Sequence, residues 1–447
     1  MAFLQNNTIV IDNTGNFFVG SLHGAFTGQA NVNKNVPQLT LQNPNAYGTP
    51  AFDNFGFNVS ISGNYAIVGA YNEDDAGGLG SGKAYIFNTT TGVLLHTLNN
   101  PNAYGTPADD SFGSYLDISG NYAIVGAYNE DDAGGLGSGK AYIYNVTTGA
   151  LVHTLNNPNA YDTSAFDFFG IDVAISGNYA IVGAYFEDDA GGSISGKAYI
   201  FNVSSGTLVH TLNNPNAYGT PADDSFGSYL GISGNYAIVG ASREDDAGGL
   251  SSGKAYIYNV TTGALFRTLN NPNAYGISSN DLFGNSVAIS GDYAIVGAPN
   301  EDDAAGINSG KAYIFNVTTG ALLHTLNNPN PVGTSSDDSF GISVAISGNY
   351  VIVGAYREDN LGGSAFSSSG KAYIYNVTTG ALVHTLNSPD AGNSDEFGLS
   401  VEISGNYAIV GANYSMDSGG NSSGKAYIFG VNGHTTQFDK VMQGLYL

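Results

Sequence analysis

The 447-residue chain contains no cysteine, which excludes a disulfide framework and thiolate metal sites. Basic residues are scarce as well: 12 Lys and Arg stand against 37 Asp and Glu, so the formal net charge is −25. Proteins bind nucleic acid largely through Lys and Arg that release counterions, so we expect no nucleic-acid partner. No apolar run approaches the roughly 20 residues of a membrane-spanning helix, and we expect no membrane insertion.

The first residues also lack the features of an export signal. Residues 1–7 read Met-Ala-Phe-Leu-Gln-Asn-Asn, without a basic region or an apolar stretch. Yet 63 Gly, 30 Tyr and 23 Phe beside only 11% charged residues are typical of many short strands and of an adhesin. A virion protein that is assembled inside a cell and released by lysis satisfies both observations.

One stretch, Gly-Asn-Tyr-Ala-Ile-Val-Gly-Ala, organises the chain. It first occurs at Gly63–Ala70 and returns nearly unchanged every 57 residues, as from Gly63 to Gly120. The later copies begin at Gly120, Gly177, Gly234, Gly291, Gly348 and Gly405. Seven copies with a period in this range indicate a propeller, a solenoid or an array.

Each copy divides into four strands, which we name a to d in chain order. In the second copy we predict strand a over residues 112–118, strand b over 122–127, strand c over 140–144 and strand d over 151–155. Four antiparallel strands in each of seven copies predict an all-β fold, a seven-bladed β-propeller of four-stranded blades.

The two ends of the repeat region predict how the ring closes. The last copy supplies strands a to c, up to Phe429, and lacks strand d, whereas Leu39-Thr40-Leu41 and the motif after it match the missing piece. We predict that residues of about 36–42 form strand d of the last blade, which removes two open sheet edges. The expected domains are an N-terminal docking arm or hairpin (1–35), the propeller (36–430) and a C-terminal tail (431–447).

A Phe-Gly pair opens each copy and a Val-Gly-Ala follows it. The pairs are Phe55-Gly56, Phe112-Gly113, Phe169-Gly170, Phe226-Gly227, Phe283-Gly284, Phe340-Gly341 and Phe397-Gly398. Over roughly residues 36–430 the chain resembles the FG-GAP repeat of integrin-alpha-type propellers, and more closely the short bacterial variety with a Ser-Gly-Lys-Ala-Tyr-Ile-Phe third strand. The Asn-Pro-Asn-Ala-Tyr-Gly linkers are also similar to those of repeat proteins from marine cyanobacteria and their phages.

The chain departs from the integrin-type pattern between strands a and b. Those repeats carry an Asp-x-Asp-x-Asp-Gly calcium loop there, whereas this chain has only Ser62-Gly63-Asn64-Tyr65. The calcium site that the resemblance implies is therefore not carried over to this chain.

A different acidic motif is the candidate metal site. In an up-and-down blade the b–c and d–a connections emerge on one face, which we call the loop face, and the b–c connections there carry Glu-Asp-Asp. Ca²⁺ prefers six to eight oxygen ligands, so the candidate ligands are Glu73, Asp74, Asp75, Glu130, Asp131, Asp132, Glu187, Asp188, Asp189, Glu244, Asp245, Asp246, Glu301, Asp302 and Asp303. The alternative is that the Asp side chains cap turns and keep a glycine-rich loop solvated. No cofactor is required, since the seventh copy, Ser415-Met416-Asp417, has lost the triplet.

Two other side chains recur once in most blades. A Lys precedes strand c, as at Lys140, where we expect a local ion pair worth at most about 1 kcal/mol. A His lies in strand d, as at His153, and we interpret it as an exposed residue that discourages edge pairing.

The d–a connections carry the candidate ligand-binding residues. A partly exposed Tyr ring with a polar rim suits stacking on sugars, and the candidates are Tyr104, Tyr161, Tyr218 and Tyr275. The equally weighted alternative is that each Tyr packs its own loop against the next blade.

These observations favour a non-enzymatic structural protein on the surface of a virus particle, a phage tail or capsid appendage, whose propeller recognises a cell-surface glycan or protein. Residues 1–35 and 431–447 are expected to contact other virion proteins in a larger assembly. One alternative is a bacterial extracellular adhesin or matrix protein. A further alternative, a polysaccharide-active enzyme, predicts two close carboxylates or a metal in the axial channel.

Overall fold

The computed structural model describes residues 36–44, 52–74, 79–102, 109–131, 135–159, 165–188, 193–215, 223–245, 249–273, 280–302, 307–329, 337–358, 368–389, 395–416 and 422–431. These ranges form an all-β fold. Among them, no helix is long and apolar enough to cross a membrane. The predicted arm at 1–35 and all of the predicted tail except Val431 lie outside the described residues.

The strands follow the repeat. The a strands are β2 (Val59–Ser62), β6 (Leu116–Ser119), β10 (Val173–Ser176), β14 (Phe226–Ser233), β18 (Ser286–Ser290), β22 (Val344–Ser347) and β26 (Val401–Ser404). The b strands are β3 (Tyr65–Ala70), β7 (Tyr122–Ala127), β11 (Tyr179–Ala184), β15 (Tyr236–Ala241), β19 (Tyr293–Ala298), β23 (Tyr350–Ala355) and β27 (Tyr407–Ala412). The c strands are β4 (Lys83–Asn88), β8 (Lys140–Asn145), β12 (Lys197–Asn202), β16 (Lys254–Asn259), β20 (Lys311–Asn316), β24 (Lys371–Asn376) and β28 (Lys425–Gly430). The d strands are β1 (Leu39–Gln42), β5 (Leu94–Asn99), β9 (Leu151–Asn156), β13 (Leu208–Asn213), β17 (Leu265–Asn270), β21 (Leu322–Asn327) and β25 (Leu382–Asn387).

Seven separate four-stranded antiparallel sheets confirm the seven-bladed propeller. Six sheets use consecutive strands, and the seventh has the order β1-β28-β27-β26. Leu39 pairs with Ile428 and Leu41 with Ala426, so the N-terminal strand completes the last blade as the sequence predicts. Because Leu41 is only 2% exposed, this closing strand also contributes to the core.

The hydrophobic core lies between adjacent blades. Ile67 and Leu98 of blade 1 pack with Phe112 and Val125 of blade 2, and equivalent clusters repeat round the ring. The cluster that contains Ile428 of blade 7 and Phe55 of blade 1 closes it. Strand b is apolar on both faces because a neighbouring sheet covers each of them.

The two glycines of the repeat signature are needed for close packing of the blades. A Cβ atom at Gly126 in strand b would lie 2.1 Å from the carbonyl oxygen of Gly170 in the next blade. Gly170 itself has a φ of 94°, a conformation that side chains disfavour. Neighbouring backbones therefore touch where the sequence has Phe-Gly and Val-Gly-Ala.

Strand a is shorter than the sequence predicts. In the second blade it covers Leu116–Ser119 rather than 112–118, and the left-handed residues Ser111 (φ 59°) and Gly113 (φ 89°) lie before its start. The Gly113 amide still donates to Gly126 O at 3.0 Å, which anchors this turn to strand b. Only blade 4 extends strand a back to its Phe, at Phe226.

Candidate functional site

The antiparallel order of each blade places the b–c and d–a connections on the loop face and the short a–b and c–d turns on the opposite face. The b–c connection of one blade is hydrogen-bonded to the d–a connection that enters the next. For example, the Phe166 amide donates to Leu136 O at 2.7 Å and the Phe169 amide donates to Ser138 O at 3.1 Å. The loop face is therefore a continuous surface across blade boundaries.

The Glu of each Glu-Asp-Asp triplet lies inside the protein. Glu130 is 0% exposed, and its carboxylate accepts hydrogen bonds from Lys140 Nζ at 2.5 Å and from Tyr142 OH at 2.6 Å. The same buried Lys–Glu pair occurs in six blades: Glu73–Lys83, Glu130–Lys140, Glu187–Lys197, Glu244–Lys254, Glu301–Lys311 and Glu358–Lys371. The predicted local ion pair at this Lys is confirmed, but the limit of about 1 kcal/mol, which holds for exposed pairs, does not apply because both partners are shielded from water.

Burial also affects the protonation of these glutamates. It raises the pKa of Glu73, an effect that the Lys83 ammonium and Tyr85 hydroxyl partly oppose, and it raises the pKa of Glu358 to about 7. The hydrogen bonds from Lys and Tyr thus favour the charged carboxylate and oppose the effect of burial.

The middle Asp of the triplet caps its own loop. Asp131 Oδ1 accepts the amide of Gly137 at 2.8 Å, and Asp188 Oδ1 accepts the amide of Ile194 at 2.8 Å. Asp74, Asp245 and Asp302 make the equivalent bond. This geometry matches the turn-capping alternative.

These contacts concern the first two residues of each Glu-Asp-Asp triplet. The last residue of each triplet, namely Asp75, Asp132, Asp189, Asp246 and Asp303, lies outside the described residues. Within the described ranges, no group of three or more His, Asp or Glu side chains is arranged to hold a metal ion. Calcium binding at these loops stays a prediction.

The candidate tyrosines Tyr104, Tyr161, Tyr218 and Tyr275 also lie outside the described residues, but the base of their loops is described. Asp110 is 3% exposed, and its Oδ2 accepts Asn100 Nδ2 at 2.8 Å and Asn102 Nδ2 at 2.6 Å. Burial raises the pKa of Asp110 to about 7. The buried Asp110 thus links the start of the d–a connection to its end. The sequence signal for this link is that all seven copies have Asp at this position.

The strand d histidines join neighbouring blades. His153 is half-buried, and its Nε2 hydrogen-bonds the carbonyl oxygen of Ser204 in the next c–d turn at 3.1 Å. Arg267 Nη2 donates to Thr318 O in the same way. The interpretation of these residues as exposed side chains that discourage edge pairing is therefore wrong. In the closing strand, Leu39 replaces the His and packs against Gly92.

The axial channel forms a cavity of about 510 Å³ lined by the a strands, including Asp117, Asp172, Gly231 and Glu402. Asp117 Oδ1 accepts Ser60 Oγ at 2.7 Å and its Oδ2 accepts the Ile175 amide at 2.8 Å. These bonds join the inner strands of three blades.

Burial raises the pKa values of the channel carboxyls, to about 6 for Asp117 and about 8 for Asp172 and Glu402. Asp172 Oδ2 accepts the Leu230 amide at 2.7 Å, and Glu402 Oε1 accepts the Ile403 amide at 2.9 Å. Each carboxyl is thus engaged with backbone amides, which gives the channel a structural role at these positions.

An aromatic cluster on the loop face was missed by the sequence reasoning. It joins blades 2 and 3 and consists of Tyr128, Phe166, Phe168, Tyr185 and Phe186, which we call the aromatic platform. Phe168 is its centre, with ring centroids 5.7 Å from Tyr128, 6.4 Å from Phe166, 6.4 Å from Tyr185 and 5.2 Å from Phe186. Only the third copy places Phe at both 166 and 168, and this departure from the repeat was the available signal.

Comparison with known sequences identifies the repeat. The family described as FG-GAP repeat matches residues 46–87, 103–144, 159–201, 217–258, 274–315, 331–375 and 382–429. These seven matches cover more than half of the chain, one for each blade. A comparison with curated proteins gave no match.

Proposed function

Because the chain belongs to the FG-GAP repeat family, we propose that it is a recognition protein whose loop face binds a cell-surface ligand. The FG-GAP propeller fold suggests adhesion or ligand recognition, and the family is typically non-catalytic. A propeller is a scaffold, so the fold alone does not identify the ligand. The surface of the blades supports the loop face as the binding side.

The observation that carries this proposal is the placement of exposed apolar side chains. Apart from Val36, Val93 and residues of the d strands, the large apolar side chains that are exposed lie on the loop face. They are Phe52, Leu79, Leu136, Phe166, Leu250, Ile307, Tyr414 and Met416, with exposed fractions from 42% to 71%. Exposed apolar side chains of this kind supply the apolar contacts of an interaction site, whereas the turns of the opposite face have mainly Asn, Thr and Gly.

We further propose that the protein is a structural component of a virus particle, at its tail or capsid surface. The seven sheets are complete within residues 39–430, so residues 1–35 and 432–447 are not required for the blades. We assign these two segments to attachment to the particle and the loop face to ligand binding.

Particle association tests the location. We expect the protein to co-purify with particles through a density gradient, and deletion of residues 2–30 to abolish incorporation while the melting temperature of the propeller stays unchanged. Recovery in the cell-wall fraction instead would favour a bacterial adhesin. Incorporation of the deletion variant at the normal level would contradict the assigned role of the N-terminal segment.

A further inference from the structure

The aromatic platform is built on strained backbone. Phe166 has a φ of 61° and Phe168 a φ of 54°, a left-handed conformation that is a genuine outlier for a bulky residue. The second copy has Asp109 and Ser111 at these positions, and both have the same backbone conformation. The repeat therefore folds here with small polar residues that tolerate this conformation better, and packing of the blade does not require two phenylalanines.

Strain of this kind costs about 1–3 kcal/mol per residue and occurs preferentially at ligand sites. Phe166 is 55% exposed, and Tyr128, Phe168, Tyr185 and Phe186 are half-buried. Phe168 and Tyr185 lie nearly parallel, with an angle of 27° between their ring planes. The third copy thus places two phenylalanines in a strained turn, where Phe166 is exposed and the other four rings of the platform remain partly accessible.

We propose that the aromatic platform binds neutral pyranose units of a cell-surface glycan. This inference rests on the proposed function and adds to it the site and the class of ligand. Aromatic rings that are partly exposed and have polar groups at their edge suit the apolar face of a sugar ring and its hydroxyl groups. Tyr128 and Tyr185 supply hydroxyl groups within the platform itself.

The surrounding charge selects among glycans. Asp188 follows Phe186 by two residues and is exposed, and Asp131 is half-buried in the neighbouring b–c connection. A carboxylate accepts hydrogen bonds from sugar hydroxyls. Burial raises the pKa of the Tyr185 hydroxyl, and the nearby Arg243 cation partly opposes this effect. The chain nevertheless has a net charge of −25, so sialylated or sulfated glycans would be repelled. Neutral sugars fit both the rings and the charge.

The repeat itself supplies the variant that tests this site. In the full chain, Phe166→Asp with Phe168→Ser installs the residues of the second copy. This change removes the rings and relieves the strain, so we expect an unchanged or higher melting temperature. The matched control is Val93→Asp, which introduces the same charge at an exposed apolar residue (57% exposed) in a c–d turn on the opposite face.

Binding is measured on a microarray of oligosaccharides with neutral hexose or N-acetylhexosamine ends, with sialylated and sulfated glycans on the same slide. The strongest neutral glycan is then titrated by calorimetry. We expect wild type and Val93→Asp to bind neutral glycans alike, and the double variant to lose at least tenfold in affinity.

Each other outcome overturns the inference. Unchanged glycan affinity of the double variant places the site elsewhere, and preference for acidic glycans contradicts the charge argument. If no glycan binds while labelled protein still binds whole cells, the ligand class is wrong and the recognition role stands. If the protein binds neither glycans nor cells, the proposed function itself fails.

Discussion

Removal of one buried glutamate gives the most quantitative prediction. Glu130→Ala leaves the Lys140 ammonium and the Tyr142 hydroxyl without the carboxylate that accepts from them at 2.5 and 2.6 Å. Breaking a buried ion pair from one side costs about 3–5 kcal/mol, whereas an exposed pair is worth about 0–1 kcal/mol. Lys140 is 7% exposed, so the larger value applies.

The expected change in melting temperature follows from the size of the protein. Unfolding entropy is about 2.1 cal/mol/K per residue, which for the roughly 400 residues of the propeller region gives about 0.8 kcal/mol/K. A loss of 3–5 kcal/mol therefore lowers the melting temperature by about 4–6 °C if the ring unfolds cooperatively. Differential scanning calorimetry measures this shift and shows directly whether one transition remains.

The neighbouring residue provides the control for this experiment. Asp131→Asn retains a side-chain oxygen that can accept the Gly137 amide, so we expect a shift of less than about 1 °C, in line with typical surface substitutions. A shift of about 1 °C or less for Glu130→Ala as well would refute the reasoning, because the pair would then behave as if water screened it.

Three further predictions concern pH, packing and calcium. Burial raises the pKa of Asp110 to about 7 and those of Asp172 and Glu402 to about 8. The folded state therefore binds more protons than the unfolded state between about pH 4 and pH 8. We expect a higher melting temperature at pH 5 than at pH 8, and the reverse order would contradict these shifts. In Gly126→Ala the Cβ would lie 2.1 Å from Gly170 O, so we expect a loss of folding stability of more than the ~3 kcal/mol typical of overpacking. In Gly120→Ala no atom lies within 4 Å of the Cβ, so the loss should be only the ~1–2 kcal/mol of a left-handed residue. Equal effects in denaturant titrations would show that the contact between blades is not decisive. If the Glu-Asp-Asp loops bind Ca²⁺, millimolar Ca²⁺ should raise the melting temperature and Asp131→Asn should reduce that rise, and a flat response would leave only the capping role.

The fold was predictable from the sequence because the same 57-residue motif recurs in every blade. The period gave seven blades, and the absence of strand d after Phe429 together with its presence at Leu39 gave the closing strand. Both inferences depend on the match between sequence motifs of different copies and on the rule that sheet edges are paired. They therefore needed no knowledge of side-chain contacts.

The separate roles of Glu-Asp-Asp were not predictable from the triplet alone. Adjacent residues have opposite environments, since Glu130 is fully buried and Asp131 is half-buried at a loop cap. The available signal was the recurrent spacing of Glu to Lys and Tyr, 10 and 12 residues later as in blade 2, and 13 and 15 residues later in blade 6. Which of two adjacent acids turns inward depends on the loop backbone, and no residue pattern reports that directly.

The aromatic platform was missed for a related reason. Reasoning from a repeat emphasises what the copies share, whereas Phe166 and Phe168 differ from the residues of the second copy. Their rings meet Tyr128 and Phe186 only because the d–a and b–c connections of adjacent blades are hydrogen-bonded together. That contact is tertiary, and residues from three separate connections must be placed before it becomes visible.

Cell binding by two charge variants tests the central claim most directly, namely that the loop face is the recognition surface. One variant carries Leu79→Lys, Leu136→Lys and Leu250→Lys on the loop face; the other carries Asn64→Lys, Asn121→Lys and Asn235→Lys in the a–b turns of the same blades, on the opposite face, where all three Asn are exposed. Both variants gain the same charge, so non-specific attraction is matched. Flow cytometry of a panel of bacterial cells with labelled full-length protein should show binding lost only in the first variant. Loss in the second variant alone, or equal binding by both, would contradict the account.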